Sequence, residues 1–376
     1  MQFYGQSTRS GHRLARGSVV LTQAPGEVYI INPSMSNLTR RTLLKALPAM
    51  AAASRLMGQK KPQLAVKALS HATLTVTDVK RSTEFYQGLF GMGISARQGT
   101  SPSLQIGSGV QFLFFAGGTP ASKPGINHYC MAMDHFSVDG VAKVLAEHGI
   151  NKADAAGGIA GGPMKYRVRM RPEAQGGAKD GTPEFYIGDP DGLAVQLQDL
   201  KYCGGGGALG EICYAKPEPA PTKGLLHIEN LSHFTLFVSD VARSQAFYQD
   251  VFALPMQGHQ GATPMLATGD RSFLTIAGAG TRPPEINHLC FRMKDFNQEK
   301  ILKALSDYGI TPRGEAGPGP VAPLKSYISM RMPNRGGAPN GTAELYFTDP
   351  DGILIQLQDM SYCGGGGTLG EACDGK

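Results

Sequence analysis

The sequence predicts an α+β fold in two tandem domains, and three observations carry that prediction. A strand–turn–strand stretch from Gly181 to Asp199 returns from Gly341 to Asp359, 160 positions later. Segments alternating with period two, rich in β-branched residues, are interleaved with segments of helical spacing. The order of these segments before Gly181 is repeated before Gly341, with Leu231 onward matching Leu69 onward and Ile286 onward matching Ile126 onward. A period of about 160 residues means duplicated domains, because solenoid repeats are much shorter.

Length and composition bound the rest. A chain of 376 residues with 41% hydrophobic and 18% charged residues suits about two globular domains. No apolar run is long enough to span a bilayer. The net charge of +6 is uneven. Residues 1–63 hold nine Lys and Arg against the single acid Glu27, so the remainder carries −2. That near-neutral remainder argues against a nucleic-acid footprint.

Residues 1–63 read as a disordered leader. Thr39-Arg-Arg-Thr-Leu-Leu-Lys45, then Ala46-Leu-Pro-Ala-Met-Ala-Ala-Ala53, looks like a twin-arginine export signal with small residues for cleavage. The competing reading is a short basic amphipathic helix. Because such a signal normally opens its chain, Met35 is expected to be the true start and residues 1–34 an upstream artefact. Peptide mapping of the precursor tests this. The expected location is periplasmic, or otherwise exported by the twin-arginine route.

The first domain is placed at 64–202. Leu69–Thr77 alternates and reads as a strand. Asp78–Gly91 follows with Val79, Ser82, Tyr86, Leu89 and Phe90 near helical spacing, Thr77 or Asp78 as N-cap and Gly91 as C-cap. Strands are expected near Leu104–Ile106 and Val110–Phe115, then at Ile126–Met133. A helix from Ser137 to His148 carries Val138, Val141, Val144 and Leu145 as its apolar stripe. Strands at Lys165–Met170 and on both sides of Asp189-Pro-Asp-Gly192 close the domain, the turn being set by Pro and Gly. These make two β-α-β-β-β units. In the last strand Leu193, Val195 and Leu197 take one face, and Ala194, Gln196 and Gln198 the other. One face suits a core, and the other presents amides to something polar.

A Gly/Pro-rich linker is expected at 203–225, the second domain at 226–362 and a Gly/Cys tail at 363–376. Cys203 and Cys213 flank a glycine run that recurs between Cys363 and Cys373. Cysteines so placed in an exported protein predict two local disulfides. Cys130 and Cys290 lie on apolar strands and are expected buried and free.

The residues now resemble a family. A His-led strand, Asp240-Val-Ala-Arg-Ser-Gln-Ala-Phe-Tyr248, Asn-His on a second strand and Tyr-x-x-Asp-Pro-Asp-Gly together resemble the vicinal oxygen chelate superfamily. Its members include glyoxalase I, extradiol dioxygenases, and bleomycin- and fosfomycin-resistance proteins. The resemblance implies paired βαβββ modules forming a curled, cup-like mixed sheet with helices outside. It also implies a divalent metal (Fe2+, Zn2+, Mn2+ or Ni2+) held by three or four side chains. By motif position these are His71, His128 and Gln196, and again His233, His288 and Gln356. The family's usual Glu is replaced by Gln. An amide still ligates through its oxygen but brings no charge, which weakens affinity and leaves the ion's full charge to polarise a substrate oxygen. For a lone histidine the competing reading is a satisfied core residue.

Tyr186 and Tyr346 match the motif tyrosine, as oxyanion donors or as packed rings. Glu184 and Glu344 share their faces, as bases, replacement ligands or solvated strand edges. Lys165 matches Lys325, and Arg171 matches Arg331; such arginines would hold a substrate carboxylate at a cup mouth, the competing reading being an exposed charge. The extradiol subgroup's extra His is absent before either tyrosine. The expected function is a metal-dependent lyase, isomerase or oxygenase acting on a small substrate with vicinal oxygens, as a monomer with paired domains or a homodimer. The alternative is a metal-free small-molecule binding protein.

Overall fold

The computed structural model of the chain describes residues 20–22, 28–30, 61–119, 122–154, 157–269, 271–314 and 321–373. In the leader, β1 (Val20–Thr22) and β2 (Val28–Ile30) pair antiparallel. The export motif lies outside the described residues.

From Lys61 onward the chain is one compact unit holding two nine-stranded mixed sheets. The first comprises β3 (Val66–Val76), α1 (Val79–Phe90), β4 (Ile94–Gln98), β5 (Ser101–Gln105), β6 (Phe112–Gly117), β7 (Gly125–Met133), α2 (Val138–Glu147), β8 (Asn151–Lys152), β9 (Lys165–Arg171), β10 (Thr182–Gly188) and β11 (Ala194–Asp199). Its strand order is β4-β5-β6-β3-β7-β11-β10-β9-β8. The second repeats this as β12 (Asn230–Val238), α3 (Val241–Phe252), β13 (Met256–Gln260), β14 (Thr263–Gly269), β15 (Ser272–Gly278), β16 (Glu285–Met293), α4 (Gln298–Asp307), β17 (Thr311–Pro312), β18 (Lys325–Arg331), β19 (Thr342–Thr348) and β20 (Leu354–Asp359). Each domain is thus two β-α-β-β-β modules in tandem, the second module gaining one very short strand.

Local chemistry sets the boundaries. Asp78 caps α1 by accepting from the Arg81 amide, and Asp240 does the same for α3 through Arg243. Gly91 ends α1 at φ 67°, and a Cβ there would stand 2.3 Å from the Lys223 carbonyl oxygen. Only glycine meets both demands. At the matching end of α3, Ala253 takes φ 55°.

Alternation along the central strands separates core from cup. Ala72, Leu74, Tyr129, Met131, Val195 and Leu197 enter one continuous core, while His71, Thr73, His128 and Gln196 line the concave face. That core crosses the domain boundary. Phe90 of α1 packs against Phe291 and Phe347 of the second domain, at 5.9 and 6.1 Å, and Tyr129 stacks on Phe234 at 5.0 Å. A buried phenylalanine contributes about 1.5–3 kcal/mol, so the join is a core rather than a surface contact.

The two Asp-Pro-Asp-Gly turns lock the join reciprocally. Tyr248 donates to Asp189 Oδ2 at 3.0 Å and Tyr86 to Asp349 Oδ2 at 3.3 Å. Arg81 reaches Asp351, and Arg243 reaches Asp191, each at 2.5 Å.

Residues 203–225 are not a free linker. The segment exchanges hydrogen bonds between Glu218 and Ile94, and donates from Tyr214 and Leu225 to Ser95 and Leu89 carbonyls. Its glycines and prolines serve turns and close approaches rather than freedom. The tail repeats the loop, with Cys203 bonded to Cys213 and Cys363 to Cys373.

Candidate metal centre

Strand register assembles the site. Pairing places Phe112, His71, Cys130, Gln196 and Tyr186 in one row across β6, β3, β7, β11 and β10. The second sheet repeats it as Phe273, His233, Cys290, Gln356 and Tyr346. His128, two residues before Cys130, shares its face.

In the first cup His71 Nε2 stands 3.0 Å and His128 Nε2 2.9 Å from Gln196 Oε1. The rings are edge-to-face, and Phe112 stacks on His71 at 4.3 Å, fixing its plane. In the second, His288 Nε2 stands 3.1 Å from Gln356 Oε1, and His233 lies edge-on to His288 at 5.5 Å beneath Phe273. Burial pulls His128 and His288 down to about 4, and holds His71 and His233 well below the ordinary histidine value. All four are neutral at pH 7, the form that ligates a metal.

Proton accounting tests whether a cation fits. Asn287 Nδ2 faces the Glu285 carboxylate at 3.4 Å, which turns Asn287 Oδ1 towards His288 Nδ1 at 2.9 Å. An amide oxygen only accepts, so Nδ1 carries the imidazole proton and Nε2 is a bare lone pair. Nε2 then faces Gln356 Oε1, a second acceptor. In the first cup Asn127 Oδ1 likewise stands 2.8 Å from His128 Nδ1, with Asn127 Nδ2 on the Thr75 hydroxyl. Two acceptors about 3 Å apart suit ligands each about 2.1 Å from a shared ion. The donor set fits a divalent cation, although among the described residues no three His, Cys, Asp or Glu cluster to hold one. The third donor is an amide.

The predicted catalytic pair also converges. Tyr186 donates to Glu184 Oε2 at 3.1 Å, and Tyr346 to Glu344 Oε2 at 3.3 Å. Burial pushes both phenols well above the usual tyrosine range. Glu184 and Glu344 are buried, not solvated edges.

Arg171 and Arg331 are not at a cup mouth. Both are fully buried. Arg171 donates to Glu184, Gly176 O and Gly205 O at 2.7–2.8 Å, and Arg331 repeats this with Glu344, Gly336 O and Gly365 O. Every nitrogen is committed within the fold, so the substrate-carboxylate role fails. Lys325 donates to Thr311 at the sheet edge. Cys130 and Cys290 are buried and free.

Several lining residues escaped the sequence reading: Tyr202 and Tyr362 beside the histidines, and Arg169 and Arg335. Tyr202 and Tyr362 recur 160 positions apart, a signal that could have found them. The cavities measure about 160 Å³ in the first cup and 230 Å³ in the second.

A profile of the Glyoxalase/Bleomycin resistance protein/Dioxygenase superfamily matches residues 68–197 and 230–357. The chain belongs to that superfamily, as a tandem duplication. Solved structures of similar fold include homoprotocatechuate 2,3-dioxygenase from Arthrobacter globiformis (TM-score 0.53, 17% identity, covering 80% of this chain and 82% of that one). Another is the Mn(II)-bound glyoxalase from Novosphingobium aromaticivorans (0.51, 16%, 78% and 82%). The halotolerant catechol dioxygenase BphC is similar to the same degree (0.51, 14%, 78% and 86%). No curated protein matches the sequence. No helix among the described residues is long and apolar enough to cross a membrane.

Proposed function

We propose that the chain is an exported, metal-dependent enzyme acting on a small substrate that presents vicinal oxygens. The observation that carries this reading is the pair of facing acceptors, His288 Nε2 and Gln356 Oε1, mirrored by His128 Nε2 and Gln196 Oε1. His71, His128 and Gln196 would hold the ion in one cup, and His233, His288 and Gln356 in the other. A divalent ion held there would supply Lewis-acid polarisation of a substrate oxygen, undiminished by the neutral amide. The protein's own groups do the rest. Asn127 and Asn287 hold a proton on Nδ1 and so keep each Nε2 bare. Tyr186 stays protonated and keeps a hydrogen to donate, with Glu184 placed to receive a proton passed along it. Arg171 fixes that carboxylate. Lyase, isomerase and oxygenase chemistry all suit this arrangement. The disulfides accord with export to an oxidising compartment.

A second reading rests on Gln196 Nε2 and Gln356 Nε2, both buried without a hydrogen-bond partner among the described residues. With the amide turned over, its NH2 would donate to the bare imidazole nitrogens and the cup would bind a ligand without metal. Metal content of protein purified without chelators separates the two. One or two equivalents that vanish in His71→Ala/His233→Ala support the enzyme. Metal-free protein that still binds ligand supports the alternative.

A further inference from the structure

We infer that the second cup carries an anion subsite at Arg335, which takes a carboxylate on the substrate. This rests on the reading of that cup as a chelating site. Arg335 closes the short 3-10 turn Pro333–Arg335 and lines the cavity that holds His233, His288 and Gln356. Among the described residues its guanidinium has no hydrogen-bond or ion-pair partner.

The turn that carries it is held in place. Buried Arg331 donates to Gly336 O at 2.8 Å, and the Gly337 amide returns to Met332 O at 3.0 Å. The β13–β14 hairpin closes in from the other side: a Cβ on Gly261 would stand 3.7 Å from Arg335 Cα. The turn fixes the backbone, and the exposed guanidinium is left uncommitted at the cavity rim, where it offers a donor fork to a carboxylate.

The first cup shows what changed. Gln175 occupies the position of Arg335, and Arg169 that of Ser329, each 160 positions earlier. Arg169 donates to Gln175 Oε1 at 2.6 Å and lies 3.8 Å from Glu184 Oε2. The first cup's cation is therefore tied up internally. Moving the charge from strand to turn frees it in the second. The second cup is also larger, and Thr275 stands where the first has Phe114. Arg331 cancels Glu344 and Gln356 adds no charge, so the uncancelled positive charge of this cup favours an anionic ligand.

A matched probe pair tests this: 3,4-dihydroxybenzoate and catechol, which differ by one carboxylate. Both are titrated calorimetrically into the full chain and into Arg335→Gln, Arg335→Lys and Arg169→Gln. The carboxylate probe should bind about ten- to a hundredfold tighter than catechol. Arg335→Gln should erase that preference, Arg335→Lys keep part of it and Arg169→Gln leave it intact. A preference that survives Arg335→Gln, an absent preference, or no binding of either probe overturns the subsite. Metal content is measured on the same samples. Metal present without preference sinks the subsite alone, and preference on metal-free protein sinks the metalloenzyme reading alone.

Discussion

Asp191, in the turn five residues before Gln196, accepts from Arg243 at 2.5 Å across the domain boundary. The same carboxylate accepts from the Ser239 amide at 2.8 Å and its hydroxyl. Asp351 returns the arrangement to Arg81 and Thr77. The strand that presents Gln196, or Gln356, is therefore tethered at its root by the other domain. Arg243 is about half exposed, so the ion pair itself contributes little, about 0–1 kcal/mol. The carboxylate's bonds to Ser239 weigh more. Asp191→Ala should lower stability by about 1–3 kcal/mol in urea denaturation. An unchanged midpoint would discount the tether.

The proton on His288 Nδ1 depends on Asn287, which Glu285 orients. Asn287→Leu should weaken metal binding in the second cup about 10- to 100-fold, read by titration against a competing chelator. Gln356→Glu should strengthen it by adding charge. If neither substitution moves the affinity, the cation does not sit on that imidazole.

The disulfide loops support the cups from below. Arg171, which grips Glu184, donates to Gly205 O inside the loop closed by Cys203 and Cys213. Cys203→Ser/Cys213→Ser should cost about 3 kcal/mol, and reductant, which opens the Cys363–Cys373 loop as well, should cost the parent chain more. Equal denaturation midpoints with and without reductant would count against this support.

Acid should act on two opposed sets of buried groups. A histidine whose pKa falls in the fold contributes stability that is full above its unfolded value and lost as pH drops through the folded one. For His128 and His288 the window runs from 6.5 to about 4. Asp189 and Asp349 are pushed by burial from 3.8 to about 6, so their contribution is full below 3.8 and lost as pH rises through 6. The two partly cancel between pH 4 and 6. In chelator-treated protein, Asp189→Asn/Asp349→Asn should lose melting temperature more steeply than the parent chain from pH 7 to 4.5. Parallel slopes would contradict the assignment.

Much of this was legible in the chain because it is written in local periods. Period two put Val195 and Leu197 inward and Gln196 into the cup, and the Asn-His and Asp-Pro-Asp-Gly motifs located the histidines. What was illegible depends on partners distant in sequence. Arg171 looked like an exposed charge because its counter-ion lies 13 residues away and its carbonyl acceptors sit in two loops. The strap at 203–225 looked loose because composition reports turns but not the β4 edge they rest on. Asn287 was visible, but its role needs Glu285 placed beside it.

The mirrored tethers have a historical consequence. Each half offers a tyrosine and an arginine and receives two aspartates, the self-complementary pattern of an isologous interface. A half-length ancestor would have had to meet a copy of itself to complete its turns. Fusing the two copies makes that encounter independent of concentration.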